Sequence, residues 1–320
     1  MIELKHARAL KKQLFSGNAA TVFAILDGAS VPGLPATLFS YSPGYQCLYR
    51  GDLKPDMAEV APYLAILERD APFTEWVLLT GWGKHWGIFG DAHADLPTLK
   101  RHFRKFLTVY DDSGKGVYFR FYDPRVWRNY LPTCHSDQLK TLFGPVNSFL
   151  VEGVKPDSAR KFLLLADRLQ QKTVSLFDLK EREEKFFVPV SEPEGLGEVA
   201  RGNGRIVIRP GQSSRVGESI YVERMRSFLN EYFPESKEVA PEAMGQTIVE
   251  LTERAALYKL ILETHVAPFI VAAWIFGVDF DQDFKSVKDV LEDYNMDTGM
   301  KAEWLWIFIE ETVSILEDGL

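Results

Sequence analysis

The clearest alternation of apolar and polar positions lies at residues 117–122, where Val, Phe and Phe alternate with Tyr, Arg and Tyr. Side chains that change character at every second position are typical of a β-strand, so this segment is predicted to be extended. The pattern stops at Asp123 and Pro124, which suit the N-cap and the first position of a helix. The sequence therefore predicts a strand-to-helix corner, flanked by Arg120 and Arg125.

Other patterns in the first half predict a mixture of strands and helices. The segment 96–110 places leucine and aromatic side chains on one helical face and lysines and arginines on the other. Residues 57–69 also have helical spacing, whereas several short apolar runs bounded by turn residues favour strands. These predicted strands lie at 20–26, 37–42, 46–49, 76–80 and 88–89.

The second half changes to helical spacing after a segment rich in glycine and proline. Residues 158–171 have the spacing of one helix, and residues 189–211 hold the glycines and prolines that favour a connector. Beyond this segment, apolar stripes predict a series of helices. These helices lie at 221–232, 248–262, 266–276, 284–294 and 301–316.

Together these patterns predict an α+β fold class. A mixed α/β N-terminal domain with a short-stranded sheet is predicted over 1–154, and an α-helical C-terminal domain over 213–320. Residues 155–212 are predicted to connect the two domains, with one helix and a Gly/Pro-rich segment. A chain of 320 residues is long enough to form two such cores.

Composition indicates an ordinary globular protein, with 46% hydrophobic and 26% charged residues. The longest apolar run, 266–276, is shorter than the ~20 residues that span a bilayer. The first residues lack the apolar core of a signal peptide, and Cys47 and Cys134 are too few for a disulfide framework. We therefore expect a cytoplasmic protein that does not engage a membrane.

The net charge of −8 conceals two regions of opposite sign. Residues 279–320 contain 12 acidic side chains and 3 lysines, whereas residues 98–128 contain 8 basic and 3 acidic side chains. This asymmetry fits either two surfaces with different partners or two solvated helix faces.

The sequence gives little support for catalysis or for a bound cofactor. Asp27, His85, Asp91 and Asp123 carry ligand atoms that suit zinc or manganese, so a metal-dependent hydrolase or nuclease is one hypothesis. No pair of them has the spacing of a His-Glu-x-x-His helix, and the chain has no nucleophile elbow or phosphate loop. We therefore expect no enzymatic activity, no cofactor and no metal, and keep the hydrolase or nuclease as the alternative.

A nucleic-acid-binding protein is a third hypothesis, because the helix at 96–110 carries a basic face. The face consists of Lys100, Arg101, Arg104 and Lys105. However, the chain is acidic, with a sequence pI of about 5.4, and contains no recognised nucleic-acid-binding module. An acidic protein partner would fit this face equally well, so we expect no nucleic acid among the partners.

Aromatic residues are concentrated near the predicted corner, including Trp82, Trp86 and Trp127. Tryptophan, tyrosine and arginine are enriched at the energetic centres of protein interfaces, but large aromatic residues also fill cores. Both faces of 117–122 can be buried only if the strand is central in its sheet. The aromatic residues therefore predict either a partner surface or a two-faced core.

Four short motifs resemble the type VI secretion effector-adaptor family. They read Ile-Leu-Asp-Gly-Ala at 25–29, His-Trp-Gly-Ile-Phe at 85–89, Phe-Arg-Phe-Tyr-Asp-Pro-Arg-Val at 119–126 and Leu-Phe-Gly-Pro-Val at 142–146. The resemblance covers about residues 22–150, and the third motif is its most specific part. It implies an adaptor, or chaperone, that catalyses nothing, binds a cognate toxic effector in the cytoplasm and helps to load it onto the VgrG spike protein.

The resemblance also singles out the residues that would form the site. Asp27, Arg120, Asp123 and Arg125 are favoured as a buried salt-bridged network that shapes the domain, over direct contact with a partner. Alternatively, part of the partner surface is formed by Trp82, His85, Trp86, Arg120 and Arg125. The helical domain, which resembles the family only in architecture, is the expected source of effector specificity. The full set of candidate residues is Asp27, Gly28, Trp82, His85, Trp86, Arg120, Tyr122, Asp123, Pro124 and Arg125.

Overall fold

The computed structural model describes residues 3–17, 19, 21–111, 113–155, 157–177, 181–187 and 206–318. For 181–187 and 315–318 the description covers the backbone alone. The chain divides into two compact units, Met1–Gly217 and Glu218–Leu320.

The first unit is built from a sheet, a small hairpin and the helices that pack on them. Its strands are β1 (Thr21–Asp27), β2 (Tyr45–Cys47), β3 (Pro62–Leu67), β4 (Gly87–Ala92), β5 (Thr108–Tyr110), β6 (Gly116–Tyr118), β7 (Val146–Glu152), β8 (Ser158–Leu165), β9 (Arg168–Ser175) and β10 (Glu181–Phe187). Its helices are α1 (Leu4–Leu14), α2 (Leu34–Tyr41), α3 (Pro55–Glu59), α4 (Pro72–Gly81), α5 (Leu96–Phe103), α6 (Pro124–Tyr130) and α7 (Ser136–Phe143).

Eight of these strands form one antiparallel sheet in the order β10-β9-β8-β7-β4-β1-β3-β2. β1 is central, with Ala24 opposite Ala65 on β3 and Phe89 on β4. Because both neighbours bind its backbone and both faces are covered, six of its seven residues are buried. This explains why β1 reads as a continuous apolar run rather than an alternating one.

The two faces of the sheet have different cores. On one face, Ala24 and Leu26 pack in a mixed aliphatic and aromatic cluster that also holds Leu10 of α1, Val77 of α4 and the ring of Trp82. The other face is aromatic, and its rings come from β1, β7, α5, α6 and the turn before α6. The ring centroids of Trp127 and Phe149 are 5.0 Å apart, and those of Phe103 and Phe23 are 5.2 Å apart.

The predicted strand-to-helix corner is confirmed in part. β6 ends at Tyr118, so residues 119–122 form a turn rather than the second half of a strand. Phe119 and Phe121 are nevertheless both buried, because the turn packs beneath α6 instead of pairing in the sheet. α6 begins at Pro124 after the N-cap Asp123, as predicted.

Several other element predictions in this unit are wrong. Residues 37–41 lie in α2 and 76–80 in α4, and both helices have a proline in their first turn, where it favours a helix start. Of the helix predicted at 57–69, only 57–59 are helical, at the end of α3, and residues 62–67 form β3 because Pro62 cannot continue a helix. The helix predicted at 96–110 ends at Phe103 and is followed by β5. The strands predicted at 20–26 and 88–89 are confirmed, and 46–49 is confirmed only to residue 47.

The helix predicted at 158–171 is wrong, because these residues form the hairpin of β8 and β9. The turn uses Ala166 and Asp167, both with positive φ, instead of the Asn-Gly that normally marks such a turn. Together with β10, the hairpin extends the sheet, so this part of the predicted connector belongs to the first unit. The Gly/Pro-rich part at 188–205 lies outside the described residues.

The second unit is helical, which confirms the predicted fold class of an α+β region followed by a helical region. α8 (Pro210–Tyr232) begins in the first unit and continues into the second. The remaining helices are α9 (Pro241–Leu257), α10 (Glu263–Phe276), α11 (Phe280–Asp283), α12 (Lys285–Glu292) and α13 (Thr298–Asp318). None of the described helices has the length and apolar character needed to cross a bilayer.

Acidification is expected to destabilise the fold through His102. Burial lowers the pKa of His102 to about 4, although the hydrogen bond between its Nε2 and the Leu142 carbonyl, 3.0 Å long, acts in the opposite direction. Between about pH 6.5 and pH 4 the His102 imidazole binds a proton in the unfolded chain but not in the folded one. The free energy of unfolding therefore falls as the pH falls through this window. The free energy of unfolding, measured with denaturant, should be lower near pH 5 than near pH 7 by about 2 kcal/mol because of this residue alone.

The matched test of this pH effect uses two leucine variants. His102→Leu should reduce the difference between the two pH values by that amount, whereas the exposed His93→Leu should leave it unchanged. An unaltered difference in His102→Leu would contradict the assignment.

Candidate functional site

The first predicted site residue, Asp27, ends β1 and is buried, with 1% of its surface exposed. Its Oδ1 accepts a hydrogen bond from the Ala29 backbone at 3.1 Å, and its Oδ2 accepts one from the Ser30 hydroxyl at 2.8 Å. The same Oδ2 forms an ion pair with the guanidinium of Arg120. The turn after β1 therefore fixes the carboxylate, and the carboxylate holds Arg120.

Arg120 itself reaches the surface, where 45% of its side chain is exposed. Burial of its inner part would lower the pKa of Arg120, but the charge of Asp27 and their hydrogen bond raise it. The guanidinium is therefore permanently charged, held in place by Asp27 and partly exposed to solvent.

A second ion pair caps α6. Asp123 accepts hydrogen bonds from the Arg125 backbone at 2.9 Å and from Arg125 Nε at 3.0 Å, and its Oδ2 lies 2.7 Å from Arg125 Nη2. Burial alone would raise the pKa of Asp123, but the hydrogen bonds and charge of Arg125 lower it. Pro124 is buried at the first helical position, where its missing amide hydrogen costs nothing.

A third side-chain pair joins His85 to Glu152, a residue that the sequence analysis did not predict. His85 Nδ1 lies 2.7 Å from Glu152 Oε2, and the His85 amide donates to both carboxylate oxygens at 3.1 and 3.2 Å. These contacts hold His85 at a left-handed φ of +58°. The charge of His85 also lowers the pKa of Asp123, so the second and third pairs border one another. The sequence feature that could have indicated Glu152 is that it is the acidic residue at the end of the largely apolar strand β7.

Tyr122 takes part in a chain of three tyrosine hydroxyl groups. Its hydroxyl lies 2.7 Å from that of Tyr118, which lies 2.6 Å from that of Tyr49. Burial raises the pKa of both Tyr122 and Tyr118, so these two hydroxyl groups remain neutral and can both donate and accept a hydrogen bond. These hydrogen-bonded hydroxyl groups join the loop after β2 to the hairpin of β5 and β6. Tyr49 was not among the predicted site residues.

The two predicted tryptophans lie in the core. Trp82 and Trp86 have 2% and 8% of their surface exposed, and Trp82 stacks near Phe89 with ring centroids 5.7 Å apart. Their burial supports a packing role and leaves His85, Arg120 and Arg125 as the predicted contact residues that reach solvent.

Gly28 is required by a close approach of two backbone segments. Its amide donates to the Ala61 carbonyl at 3.0 Å, and a Cβ at this position would lie 2.4 Å from the Glu59 carbonyl oxygen and 2.5 Å from that of Ala61. These are rigid backbone atoms, so any larger residue must push β1 and the end of α3 apart.

Gly28→Ala is therefore expected to lower the free energy of unfolding by about 1–3 kcal/mol, the range for overpacking a filled site. Gly217→Ala is the matched control, because its Cβ would meet no atom within 4 Å and it lies inside α8. That change should be neutral or slightly stabilising, since alanine suits a helix interior better than glycine. If the two variants had the same midpoint of unfolding in urea, the close backbone approach at Gly28 would be contradicted.

A cavity of about 440 Å³ lies beside Arg120 in the first unit. Its walls come from β5, β6, α6 and the first turns of α8, and are largely apolar. Segment 206–208 is hydrogen-bonded to Tyr110 of β5, and Gln212 donates to the Thr133 carbonyl at 2.9 Å, so this wall is fixed to the unit. The cavity is large enough for one or two side chains of a partner.

The candidate metal ligands are not assembled into one site. Asp27 pairs with Arg120, Asp123 with Arg125 and His85 with Glu152, while Asp91 binds Ser148 and Asn147. Among the described residues, no group of three His, Cys, Asp or Glu side chains could hold a metal ion. The predicted four-residue network contains two ion pairs, each with a buried acid and an arginine that reaches the surface, and the charge of Asp123 also raises the pKa of Arg120. Such pairs hold the corner together and place positive charge at its surface.

Comparison with known proteins gives one match. Residues 22–141 match the model of a family described as a domain of unknown function (DUF4123). No curated protein and no solved structure matches the chain. The matched range begins within β1 and ends within α7, so it contains every predicted site residue but neither Glu152 nor the helical unit.

Proposed function

We propose that this chain is an effector adaptor of type VI secretion, which binds a cognate effector protein and promotes its loading onto the VgrG spike protein. The observation that carries the proposal is the match of residues 22–141, because this domain family is associated with effector adaptors of that system. The proposed adaptor acts in the bacterial cytoplasm, before secretion, and catalyses no reaction of its own.

The geometry of the corner supports a binding role. Arg120 and Arg125 each have one buried acid that fixes the side chain, so little conformational freedom is lost when a partner contacts them. Arginine is also enriched at interface hot spots, because its guanidinium offers several donors and a flat apolar face. The cavity beside Arg120 provides an apolar site next to this charge.

The contacts of the acids support binding over hydrolysis. Asp27 and Asp123 are buried and engaged by arginine, and Glu152 is engaged by His85. A general base must reach the proton that it removes, and a metal ligand must have a free lone pair aimed at the ion. The oxygens of these carboxylates accept hydrogen bonds that stabilise the fold.

A pull-down from the native cytoplasm tests the proposal, with the tagged full-length chain as bait and mass spectrometry as the readout. Co-recovery of a VgrG spike protein and one large toxin-like protein is expected, and a tagged bait of similar net charge should recover neither. If a folded bait recovers neither while the secretion genes are expressed, the adaptor proposal fails.

A further inference from the structure

The helical unit exposes a group of large apolar side chains where two helix connections lie side by side. Leu257 and Ile261 are 81% and 76% exposed, and Tyr294 is 86% exposed. Leu262 is also exposed, next to Ile261. These four residues are called the apolar patch, and such clustering on a soluble surface is typical of an interaction site.

Two contacts bring the connections together. Lys259, between α9 and α10, places its Nζ 5.4 Å from the centre of the Tyr294 ring, between α12 and α13. Beneath them, the buried Lys301 donates to the Leu291 carbonyl at 2.6 Å. Burial lowers the pKa of Lys301, the charge of Asp293 opposes this, and the charge of Lys259 adds to it, so all three lie close together.

The exposure of the patch is imposed by a tight turn. Lys259 adopts a left-handed φ of +66° just after α9, and its amide donates to the Ala256 carbonyl at 3.0 Å. The next amide, of Leu260, donates to the Ala255 carbonyl at 3.2 Å, and the Leu260 side chain is fully buried. Because the turn directs Leu260 inward, Ile261 and Leu262 remain outside, on a fixed backbone.

The surroundings of the patch are acidic. Glu253 lies one helical turn before Leu257 on the same face of α9. Glu263, which follows Leu262, pairs with Arg224, and Lys259 is the basic side chain on the patch itself. Asp293 precedes Tyr294. In the whole second unit, residues 218–320, the sequence has 21 acidic and 8 basic side chains, a net charge of −13.

This charge decides among the possible occupants. A second copy would bring its own acidic rim against the first, and like charges oppose one another. An anionic membrane surface or a nucleic acid would be repelled for the same reason. A protein segment with apolar side chains on one face and lysines or arginines on the other would satisfy both the patch and its rim.

We propose that the apolar patch docks a cationic amphipathic segment of the effector. This inference rests on the proposed adaptor function and adds the chemistry that the helical unit selects. The segment buries its apolar face on Leu257, Ile261 and Tyr294, and its basic residues meet the acidic rim.

The first test uses the full-length chain and a labelled peptide of about 18 residues, with leucines on one helical face and lysines on the other. Fluorescence anisotropy should show binding that is at least ~10-fold weaker for the double variant Leu257→Ser, Ile261→Ser than for the wild type. Ile307→Ser, an exposed isoleucine about two turns along α13 from its start, is the matched control and should bind as the wild type does.

Other outcomes of the peptide test would overturn the proposal. Equal binding by the wild type and the double variant would mean that the peptide only senses net charge. Self-association of the wild type that the double variant abolishes would assign the patch to a second copy. Patch-dependent binding to vesicles of anionic phospholipid would assign it to a membrane.

The second test separates this inference from the proposed function. The double variant and Ile307→Ser replace the wild type as bait in the cytoplasmic pull-down. If the wild type and Ile307→Ser recover the effector and the folded double variant does not, the patch is its docking site. Full recovery by the double variant overturns the inference alone, whereas no recovery by the wild type overturns the adaptor function.

Discussion

Trp127→Ala is expected to lower the free energy of unfolding by about 3–5 kcal/mol, the cost of deleting a large aromatic side chain from a packed core. Trp127 is fully buried, and its ring lies 5.0 Å from that of Phe149 on β7 and 5.8 Å from that of Phe121. It therefore joins α6 to the sheet and to the turn that carries Arg120. Urea unfolding, monitored by far-UV circular dichroism, measures the change.

Phe39→Ala is the matched control for this truncation, because Phe39 lies in the same unit and is 81% exposed. Its stability should stay within about 0.5 kcal/mol of the wild type. If the two variants lost similar stability, the central position of Trp127 in the aromatic core would be wrong.

Arg120→Ala is expected to lower the free energy of unfolding by about 3 kcal/mol. The change leaves the buried carboxylate of Asp27 without its counter-charge, which costs about 3–5 kcal/mol in a fully buried pair. The expected value lies at the lower end because Arg120 is partly exposed and because Ala29 and Ser30 still donate to Asp27. Adding Asp27→Asn should recover part of the loss, since it removes the unpaired charge.

The control for this ion pair is Arg101→Ala, an exposed arginine on α5. It should change stability by no more than about 0.5 kcal/mol. A double variant Asp27→Asn, Arg120→Ala that is less stable than Arg120→Ala alone would show that the two residues contribute independently, against the pairing described above.

The parts of the fold that could be predicted are those with a strong local pattern. β1 is a continuous apolar run that ends at a turn, and the Asp123-Pro124 start of α6 is a local signal. The amphipathic helices of the second unit were found for the same reason. In contrast, the strand character of 158–171 depended on a hairpin whose turn, at Ala166 and Asp167, has no glycine or asparagine to mark it. Tertiary pairing, absent from any local window, determined the outcome there.

The site followed a similar rule. Asp27, Arg120, Asp123 and Arg125 could be singled out because they lie in the motifs that resemble the effector-adaptor family, and Arg120 and Arg125 also flank the predicted strand-to-helix corner. The pairing of Asp27 with Arg120 could not be derived from a local pattern, since the two residues are 93 positions apart in the chain. Glu152 was missed because only the fold brings the end of β7 beside the loop that precedes β4. The helix predicted at 248–262 ends at Leu257, because Lys259 adopts a left-handed φ, and the exposed Leu257 and Ile261 lie outside the apolar stripe that predicted this helix.

The proposal that this chain loads a specific effector for type VI secretion is tested most directly by measuring effector secretion in a strain that lacks the chain. The effector recovered in the pull-down should disappear from the secreted fraction, while secretion of the tube protein and of other effectors continues. Expression of the wild-type chain should restore it, and the folded patch variant Leu257→Ser, Ile261→Ser should not. Undiminished secretion of that effector without the chain would contradict the account.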